Sequence, residues 1–319
     1  MNNELNICQV SLPGNIPIIR KKYNNFTKIY KNVKFFIIVP KKDIAIFKKK
    51  LNFKNAFIIS ENKILTFRRF KIIANRNIKK KKYFKKIQPR LKWYYQQVLK
   101  ISFVLDFLNN NNNIVIWDAD TLILKKIYFF KNNLSISYGS TSEFHKAYYA
   151  TNKIILKKLP KYFISCLAQF ISLSQLESKR LKYHLSKFLL RKQKTSEWIT
   201  NIVFKAISKT HDNYNGSMFS EYELIGQSNL IFNKNKQKLI SGVRENLNGK
   251  LTNFQKKIAI FLGYSYVAYE HAHNNQLSKN MLKRYQDWYL FIKLIIRKTS
   301  NKFFRGLRHL ILSRIHNVK

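Results

Sequence analysis

Two aspartates, Asp118 and Asp120, are the residues whose types and spacing most directly indicate chemistry. They lie in the stretch Ile114–Leu124, IVIWDADTLIL, with apolar residues on both sides. Because side chains alternate along a strand, two carboxylates two residues apart at a strand end point to the same side. Carboxylate oxygens suit hard divalent cations, which often share their coordination with substrate phosphates. The spacing therefore predicts a site for Mn²⁺ or Mg²⁺.

The residues around the two aspartates strengthen this prediction. Ile114–Trp117 has the short, β-branched composition of a fully buried strand, and the turn-forming run Asn109–Asn113 precedes it. Along the sequence, no cation follows either aspartate until Lys125. A buried carboxylate without a partner is costly, so a metal or strong donors are expected beside the pair. The alternative is an ordinary polar loop.

A cationic helix is the first candidate to lie beside the aspartates. A helix is predicted over Arg90–Leu108, because apolar residues recur there every three or four positions. Cations near a helix N-terminus can contact a diphosphate. The candidate donor-binding residues are Arg90, Lys92, Gln97 and Lys100. The alternative is an ordinary helix start whose cations face water.

Two acids and two histidines are the other candidates. Glu221 and Glu223 stand out in a chain with few acids, and either is a candidate general base. Their alternative role is to cap a helix. His271 and His273 follow a predicted strand, Tyr264–Tyr269, and their spacing puts both imidazoles on one side, as candidate metal ligands. Their alternative role is structural.

The elements that position these residues alternate between strands and helices. This order is typical of βαβ units and of an α/β fold with a mostly parallel sheet. The predicted strands are Asn6–Leu12, Lys34–Val39, Ala56–Ser60 and Ile114–Trp117. Further helices are predicted over Ile16–Tyr30, Tyr162–Ser174, Ser178–Arg191 and Ser196–Ile207, while Ile64–Lys86 is interpreted as irregular.

The composition indicates a folded protein with an anionic partner. A hydrophobic content of 45% is sufficient for a sizeable core. The 61 Lys and Arg residues against 15 Asp and Glu give a net charge of +46, which favours nucleic acid, an anionic membrane or phosphorylated substrates as partners. About half of this charge is attributed to the amino-acid usage of an AT-biased genome. The distant Cys8 and Cys166 argue for a reducing compartment and against a zinc site.

Two segments are predicted: a catalytic domain over residues 1–275 and a basic helical tail over residues 276–319. No signal peptide and no apolar run of ~18 residues is evident. Ser278–Lys319 alternates aromatic and aliphatic residues with cations, which suits the surface of an anionic membrane. The alternative is a helix packed on the domain. The expected location is cytoplasmic, peripheral on the inner face of the membrane.

Together these motifs resemble bacterial nucleotide-sugar glycosyltransferases of the GT-A type. The resemblance rests on WDAD at Trp117–Asp120, WYYQQ at Trp93–Gln97 and SEYE at Ser220–Glu223. It spans roughly residues 6–273. Within that class, the chain is similar to a group of poorly characterised bacterial proteins, known as a domain of unknown function and considered glycosyltransferase-related.

The resemblance implies a Rossmann-like GT-A sheet with a nucleotide-sugar donor at the carboxyl ends of the strands. By analogy, Asp120 holds Mn²⁺ or Mg²⁺ on the diphosphate, Asp118 contacts the ribose or the metal shell, and His271 or His273 completes the metal site. The metal then neutralises charge on the leaving nucleoside diphosphate. The acid usual after the first strand is absent, because Pro13 follows instead, so the nucleotide is left open.

The implied reaction transfers a sugar to a hydroxyl of a glycan or lipid-linked acceptor, in cell-surface polysaccharide or lipopolysaccharide synthesis. An inverting reaction needs a base, Glu221 or Glu223, and a retaining one does not. The alternative is a basic nucleic-acid-binding protein without catalytic activity, although the charge is spread over the whole chain and no nucleic-acid partner is expected. A haloacid-dehalogenase-like phosphatase fits less well, because Thr121 falls one position early for its motif.

Overall fold

A five-stranded sheet with helices on both faces forms the centre of the molecule. The computed structural model describes residues 4–78, 81–111, 113–140, 145–161, 164–186, 193–210, 217–234, 237–243 and 252–269. The strands are β1 (Leu5–Val10), β2 (Val33–Val39), β3 (Ala56–Ser60), β4 (Asn113–Trp117), β5 (Thr121–Ile123), β6 (Phe130–Lys131), β7 (Leu134–Ser135), β8 (Ser137–Gly139), β9 (Phe170–Ser174), β10 (Gln237–Leu239), β11 (Gly242–Val243) and β12 (Tyr266–Ala268). The helices are α1 (Ile16–Ile29), α2 (Ile44–Lys50), α3 (Glu61–Ile64), α4 (Phe67–Asn77), α5 (Lys81–Ile87), α6 (Leu91–Phe107), α7 (Lys146–Leu156), α8 (Gln175–Ser186), α9 (Thr195–Lys209), α10 (Glu221–Phe232) and α11 (Asn253–Phe261).

The strand order of the central sheet is β3-β2-β1-β4-β9. The strands β1, β2, β3 and β4 are parallel, and β9 runs antiparallel to β4. After β3 the chain returns to the other side of β1, so the strand order reverses between β1 and β4. In open α/β sheets, ligands bind outside the carboxyl ends of the strands at such a point. The predicted α/β fold with a mostly parallel sheet is confirmed.

The strand β4 is buried on both faces, as its composition predicted. Ile114 and Ile116 belong to the core beneath α6, whereas Val115 and Trp117 belong to the core beneath α1. All four side chains are fully buried. Because the alternation continues past the end of the strand, the residue after Trp117 is directed towards the α6 face.

The helices α6 and α1 cover opposite faces of the sheet. The helix α6 agrees with the helix predicted over 90–108, and its apolar residues contact α4, α9 and α10 in one core. The helix α1 agrees with the one predicted over 16–30, and Ile16, Ile19 and Phe26 pack against β1, β2 and Trp117 in the other. The two helices therefore approach the ends of β1 and β4 from opposite sides.

Two predicted segments are wrong. The stretch 64–86 is not irregular, since it holds α4 and most of α5, and Thr66 caps α4 by accepting from the N–H of Arg69. The stretch 162–174 contains β9 rather than a helix, because Phe170 pairs with Trp117 across the sheet. The predicted tail of residues 276–319 lies outside the described residues. Among the described helices, none is long and apolar enough to cross a bilayer.

Candidate active site at the edge of the sheet

The chain turns sharply at residues 118–121, the aspartate turn, where it leaves β4 and enters β5. The N–H of Thr121 donates to the carbonyl of Asp118 at 3.2 Å, which closes the turn. The N–H of Tyr269, just after β12, donates to the carbonyl of Asp120 at 3.0 Å. The indole Nε1 of Trp117 donates to the carbonyl of Thr121 at 2.8 Å. The turn is therefore held at the carboxyl edge of β4, beside the end of β1.

Lys100 contacts the aspartate turn from the α6 face. Its Nζ lies 2.6 Å from Asp118 Oδ1 and 2.8 Å from Glu221 Oε1, and it also donates to the hydroxyl of Tyr222 at 3.3 Å. Burial by itself disfavours the charged ammonium, but the two carboxylates more than offset this, and the pKa of Lys100 is raised. Lys100 is thus the centre of a buried ionic triad that joins the turn to α10.

Lys22 contacts the same turn from the α1 face. Its side chain is fully buried, and its Nζ donates to the carbonyls of Asp118 (2.6 Å) and Ala119 (3.0 Å) and to Gln9 Oε1 (2.7 Å). Burial lowers the pKa of Lys22 to about 7, although the charges of Asp120 and Asp118 oppose this shift. Three oxygens at these distances match the three donors of an ammonium group.

The carboxylate of Asp120 is the one in the turn that no described cation contacts directly. Its side chain is partly buried, and Thr121 Oγ1 lies 3.4 Å from its Oδ1. Burial and then the charge of Asp118 raise the pKa of Asp120, while the charges of Lys22 and Lys100 oppose the rise. Among the residues that the structure describes, no ion pair reaches this carboxylate, so a bound cation would relieve an unfavourable charge there.

The charges at this edge favour a cation. Three carboxyl groups, of Asp118, Asp120 and Glu221, lie near two ammonium groups, of Lys22 and Lys100. In their ionised forms these groups leave one negative charge in excess, in a chain whose net charge is +46. Hard divalent cations suit such carboxylate oxygens, so the described residues fit the predicted ion.

The expectation that the aspartates have no cationic neighbour before Lys125 is wrong in three dimensions. Lys100 and Lys22 are separated from Asp118 by 18 and 96 positions, and both contact it. The sequence argument treated only neighbours along the chain. A metal is therefore not needed to neutralise Asp118, and the case for one rests on Asp120.

Glu223 is held in a network of its own. Its Oε1 accepts hydrogen bonds from Ser165 Oγ (2.6 Å), the N–H of Cys166 (3.1 Å) and the hydroxyl of Tyr149 (3.4 Å), and its Oε2 accepts from Gln227 Nε2 (3.0 Å). The side chain is fully buried, and burial raises the pKa of Glu223 despite these hydrogen bonds. This environment is that of a structural carboxylate.

The start of α10 explains why the two acids differ. Ser220 is the N-cap and accepts from the N–H of Glu223 at 3.4 Å, so the capping hydrogen bond goes to the Ser220 hydroxyl and the described contacts of the two carboxylates are made elsewhere. The N–H of Glu221 donates to Gln97 Oε1 at 3.1 Å, which links α10 to α6. Glu221 is thereby directed to Lys100, and burial raises the pKa of Glu221 although Lys100 opposes the shift.

The four predicted donor-binding residues of the helix do not act as one group. Lys100 and Gln97 are both buried. Lys100 is the centre of the ionic triad, and Gln97 accepts from the first residue of α10. Arg90 is exposed before α6, where it donates to Ser217 Oγ and lies 5.8 Å from the ring centre of Trp93. Lys92 is exposed on the first turn of α6. The described contacts place neither Arg90 nor Lys92 against the aspartates.

The predicted histidine ligands, His271 and His273, lie outside the described residues. Within the described part of the chain, no group of three or more His, Cys, Asp or Glu residues has the arrangement of a metal site. Of the four predicted metal ligands, Asp118 and Asp120 are the two that lie among the described residues.

Sequence reasoning missed Lys22, although a signal was present. Lys22 lies three residues after Ile19 and four before Phe26, on the buried stripe of α1. Its neighbour Lys21 is exposed, so residue type alone does not distinguish the two lysines. A cation at a core position of an amphipathic helix requires buried oxygen acceptors, which the turn and Gln9 provide.

A model of the family of unknown function DUF6492 matches residues 14–253. This chain belongs to that family. The match covers most of the chain and includes both buried lysines, the aspartate turn and the start of α10. No curated protein matches the sequence.

Proposed function

We propose that this DUF6492 protein is a metal-dependent glycosyltransferase of GT-A type, which moves a sugar from a nucleotide-sugar donor to a hydroxyl acceptor. The observation that carries the proposal is the position of Asp118 and Asp120. They follow β4 at the point where the strand order reverses, beside the end of β1. Nucleotides bind at such positions in open α/β sheets. A paired-carboxylate turn there suits a diphosphate with its cation.

Asp120 is the proposed principal metal ligand, because its carboxylate is partly exposed and lies in no described ion pair. Asp118 contributes to the same shell while Lys100 holds its Oδ1. An Mn²⁺ or Mg²⁺ ion held by these two residues would supply Lewis-acid stabilisation of the leaving diphosphate. His271 and His273 remain predicted ligands. The donor, the glycan or lipid-linked acceptor and a peripheral site on an anionic membrane remain proposals of the same kind.

The chain's own residues provide orientation and fixed charge. Lys100 holds Asp118 and Glu221 in fixed positions, so the turn is preorganised before any donor binds. If the reaction inverts the sugar, Glu221 is the candidate base that lies next to the turn. We assign Glu223 a structural role instead, since four donors already satisfy its carboxylate.

The test is a thermal-shift and hydrolysis screen of nucleotide-sugars with Mn²⁺. We expect one donor class to raise the melting temperature only when Mn²⁺ is present, since a ligand at 100 times its Kd stabilises the native state by about 2.7 kcal/mol. Asp120→Asn should abolish both this shift and metal-dependent hydrolysis. The matched control is Asp106→Asn, which removes an exposed carboxylate from α6 whose described partner is Thr195.

Equal activity in Asp120→Asn and the wild type would contradict the proposal. Binding to single or double strands that is tight at about 150 mM salt and falls steeply as salt rises would instead favour the nucleic-acid alternative. Asp106→Asn must behave like the wild type in both assays, so that a loss in Asp120→Asn can be assigned to the turn.

A further inference from the structure

Lys22 is buried against the backbone of the aspartate turn. It is the fully buried cation of α1, and its three described acceptors are neutral oxygens rather than carboxylates. Two of these acceptors are consecutive carbonyls, of Asp118 and Ala119, in the aspartate turn. Burying a charge is costly unless its hydrogen bonds are complete, so this arrangement fixes the backbone that carries the two aspartates.

The geometry around the carbonyl of Asp118 shows how this works. That oxygen accepts from both Lys22 Nζ (2.6 Å) and the N–H of Thr121 (3.2 Å). The hydrogen bond from Thr121 closes the turn, and the ammonium group of Lys22 contacts the same oxygen from the α1 face. Gln9 Oε1, on the neighbouring strand β1, holds the ammonium in place. The position of the turn relative to β1 thus depends on one side chain from α1.

We propose that Lys22 is a positioning residue, which aims the Asp120 carboxylate by holding the carbonyls of Asp118 and Ala119 against β1. This inference rests on the proposed function for its catalytic meaning, but its structural part can be measured without any ligand. Lys22 does not contact the substrate in this role, and it acts through the turn.

The experiment compares Lys22→Met with Asn25→Ala. Methionine keeps the length of the side chain and removes its donors. Asn25 is the matched control, because it donates from the same helix to the carbonyl of Ile123 at 3.1 Å, beyond the turn. Hydrogen–deuterium exchange of the peptide covering residues 117–124 is measured without metal, with a peptide from β2 as the reference.

We expect the amide of Thr121 to exchange roughly tenfold faster or more in Lys22→Met, since a hydrogen bond from a charged donor is lost. The β2 peptide should be unchanged, and Asn25→Ala should leave the Thr121 amide protected. If the Thr121 amide exchanges at the same rate in Lys22→Met as in Asn25→Ala, the proposal is overturned. If Lys22→Met does not fold, Lys22→Gln, which keeps one amide donor, is judged by the same criterion.

Titration with Mn²⁺, followed by the electron paramagnetic resonance of the free ion, gives the functional arm. Lys22→Met should bind Mn²⁺ more weakly, by about tenfold or more, because the carboxylates are misaligned. For the same reason, kcat should fall by a larger factor than the factor by which KM changes. Retention of wild-type affinity and kcat would overturn the positioning role. If the wild type binds no Mn²⁺ while the turn exchange still changes, the proposed function fails and the structural role of Lys22 stands.

Discussion

The aspartate turn is held by one buried lysine on each face of the sheet. The two lysines differ in the groups that accept hydrogen bonds from their ammonium groups. On the α6 face, Lys100 lies between the carboxylates of Asp118 and Glu221. On the α1 face, Lys22 is held by backbone carbonyls and one amide oxygen. The pKa of Lys100 is raised by its carboxylates, whereas burial lowers the pKa of Lys22 to about 7.

This difference separates two ways of fixing a catalytic turn. Lys100 balances charge, so its removal leaves two carboxylates without compensation. Lys22 is hydrogen-bonded to neutral groups, so its removal breaks no described ion pair but loosens the backbone, and it also removes a positive charge that acts on Asp120. Removing Lys100 should therefore lower the free energy of unfolding more, whereas removing Lys22 should mainly change the position of the turn.

The largest expected effect is that of Lys100→Met. Breaking a buried ion pair by removing one partner costs about 3–5 kcal/mol, because an uncompensated charge remains. Lys22→Met should cost less, roughly 1–3 kcal/mol, since it leaves neutral acceptors unsatisfied. Urea denaturation of both variants measures the two losses in the free energy of unfolding. A larger loss in the free energy of unfolding for Lys22→Met than for Lys100→Met would contradict the assignment of the main stabilising role to Lys100.

A smaller difference is expected between the two aspartates. Asp118→Asn weakens a charged hydrogen bond to Lys100 and should cost about 1.5–3 kcal/mol of stability. Asp120→Asn removes a charge that burial disfavours, so its stability should stay within about 0.5 kcal/mol of the wild type or exceed it. The same urea titrations test this contrast. Equal losses would show that Asp120 also has a stabilising partner.

The smallest effect is a dependence of stability on pH that originates from Lys22. The pKa of the lysine is 10.5 in the unfolded chain, its ordinary value, whereas burial lowers it to about 7 in the folded protein. Between these values the unfolded state binds more protons, so stability rises with pH. From pH 7 to pH 8, the wild type should gain about 1 kcal/mol relative to Lys22→Met. A difference that shrinks over this range would contradict the lowered pKa.

Local patterns were sufficient to predict much of the fold. β3 and α6 agree with the prediction to within one residue, because a short β-branched run and a long three-to-four periodicity are strong signals. β9 was missed, since its apolar–polar alternation covers only Ile171–Ser174, and its antiparallel pairing with β4 identifies it as a strand. Such pairing between distant residues is not visible in a sequence window.

The candidate site shows the same limit more sharply. The aspartate turn and Glu221 were predicted from residue type and spacing. Lys22 was not, because its contact with Asp118 spans 96 positions and depends on how α1 packs on the sheet. Lys100 was predicted to bind the donor, and its contacts with Asp118 and Glu221 were not predicted. Residue types indicated which side chains to examine, whereas packing determined which of them lie in contact.

The indole of Trp117 makes the aspartate turn accessible to fluorescence measurements. Its Nε1 donates to the carbonyl of Thr121, and its ring stacks on Phe170 at a centroid distance of 4.9 Å, so a chromophore is part of the structure that would receive the cation. The chain has four tryptophans, and replacing the other three with phenylalanine would leave Trp117 as the single emitter. Its emission then provides an intrinsic, label-free measure of whether the turn moves when an ion or a nucleotide is added.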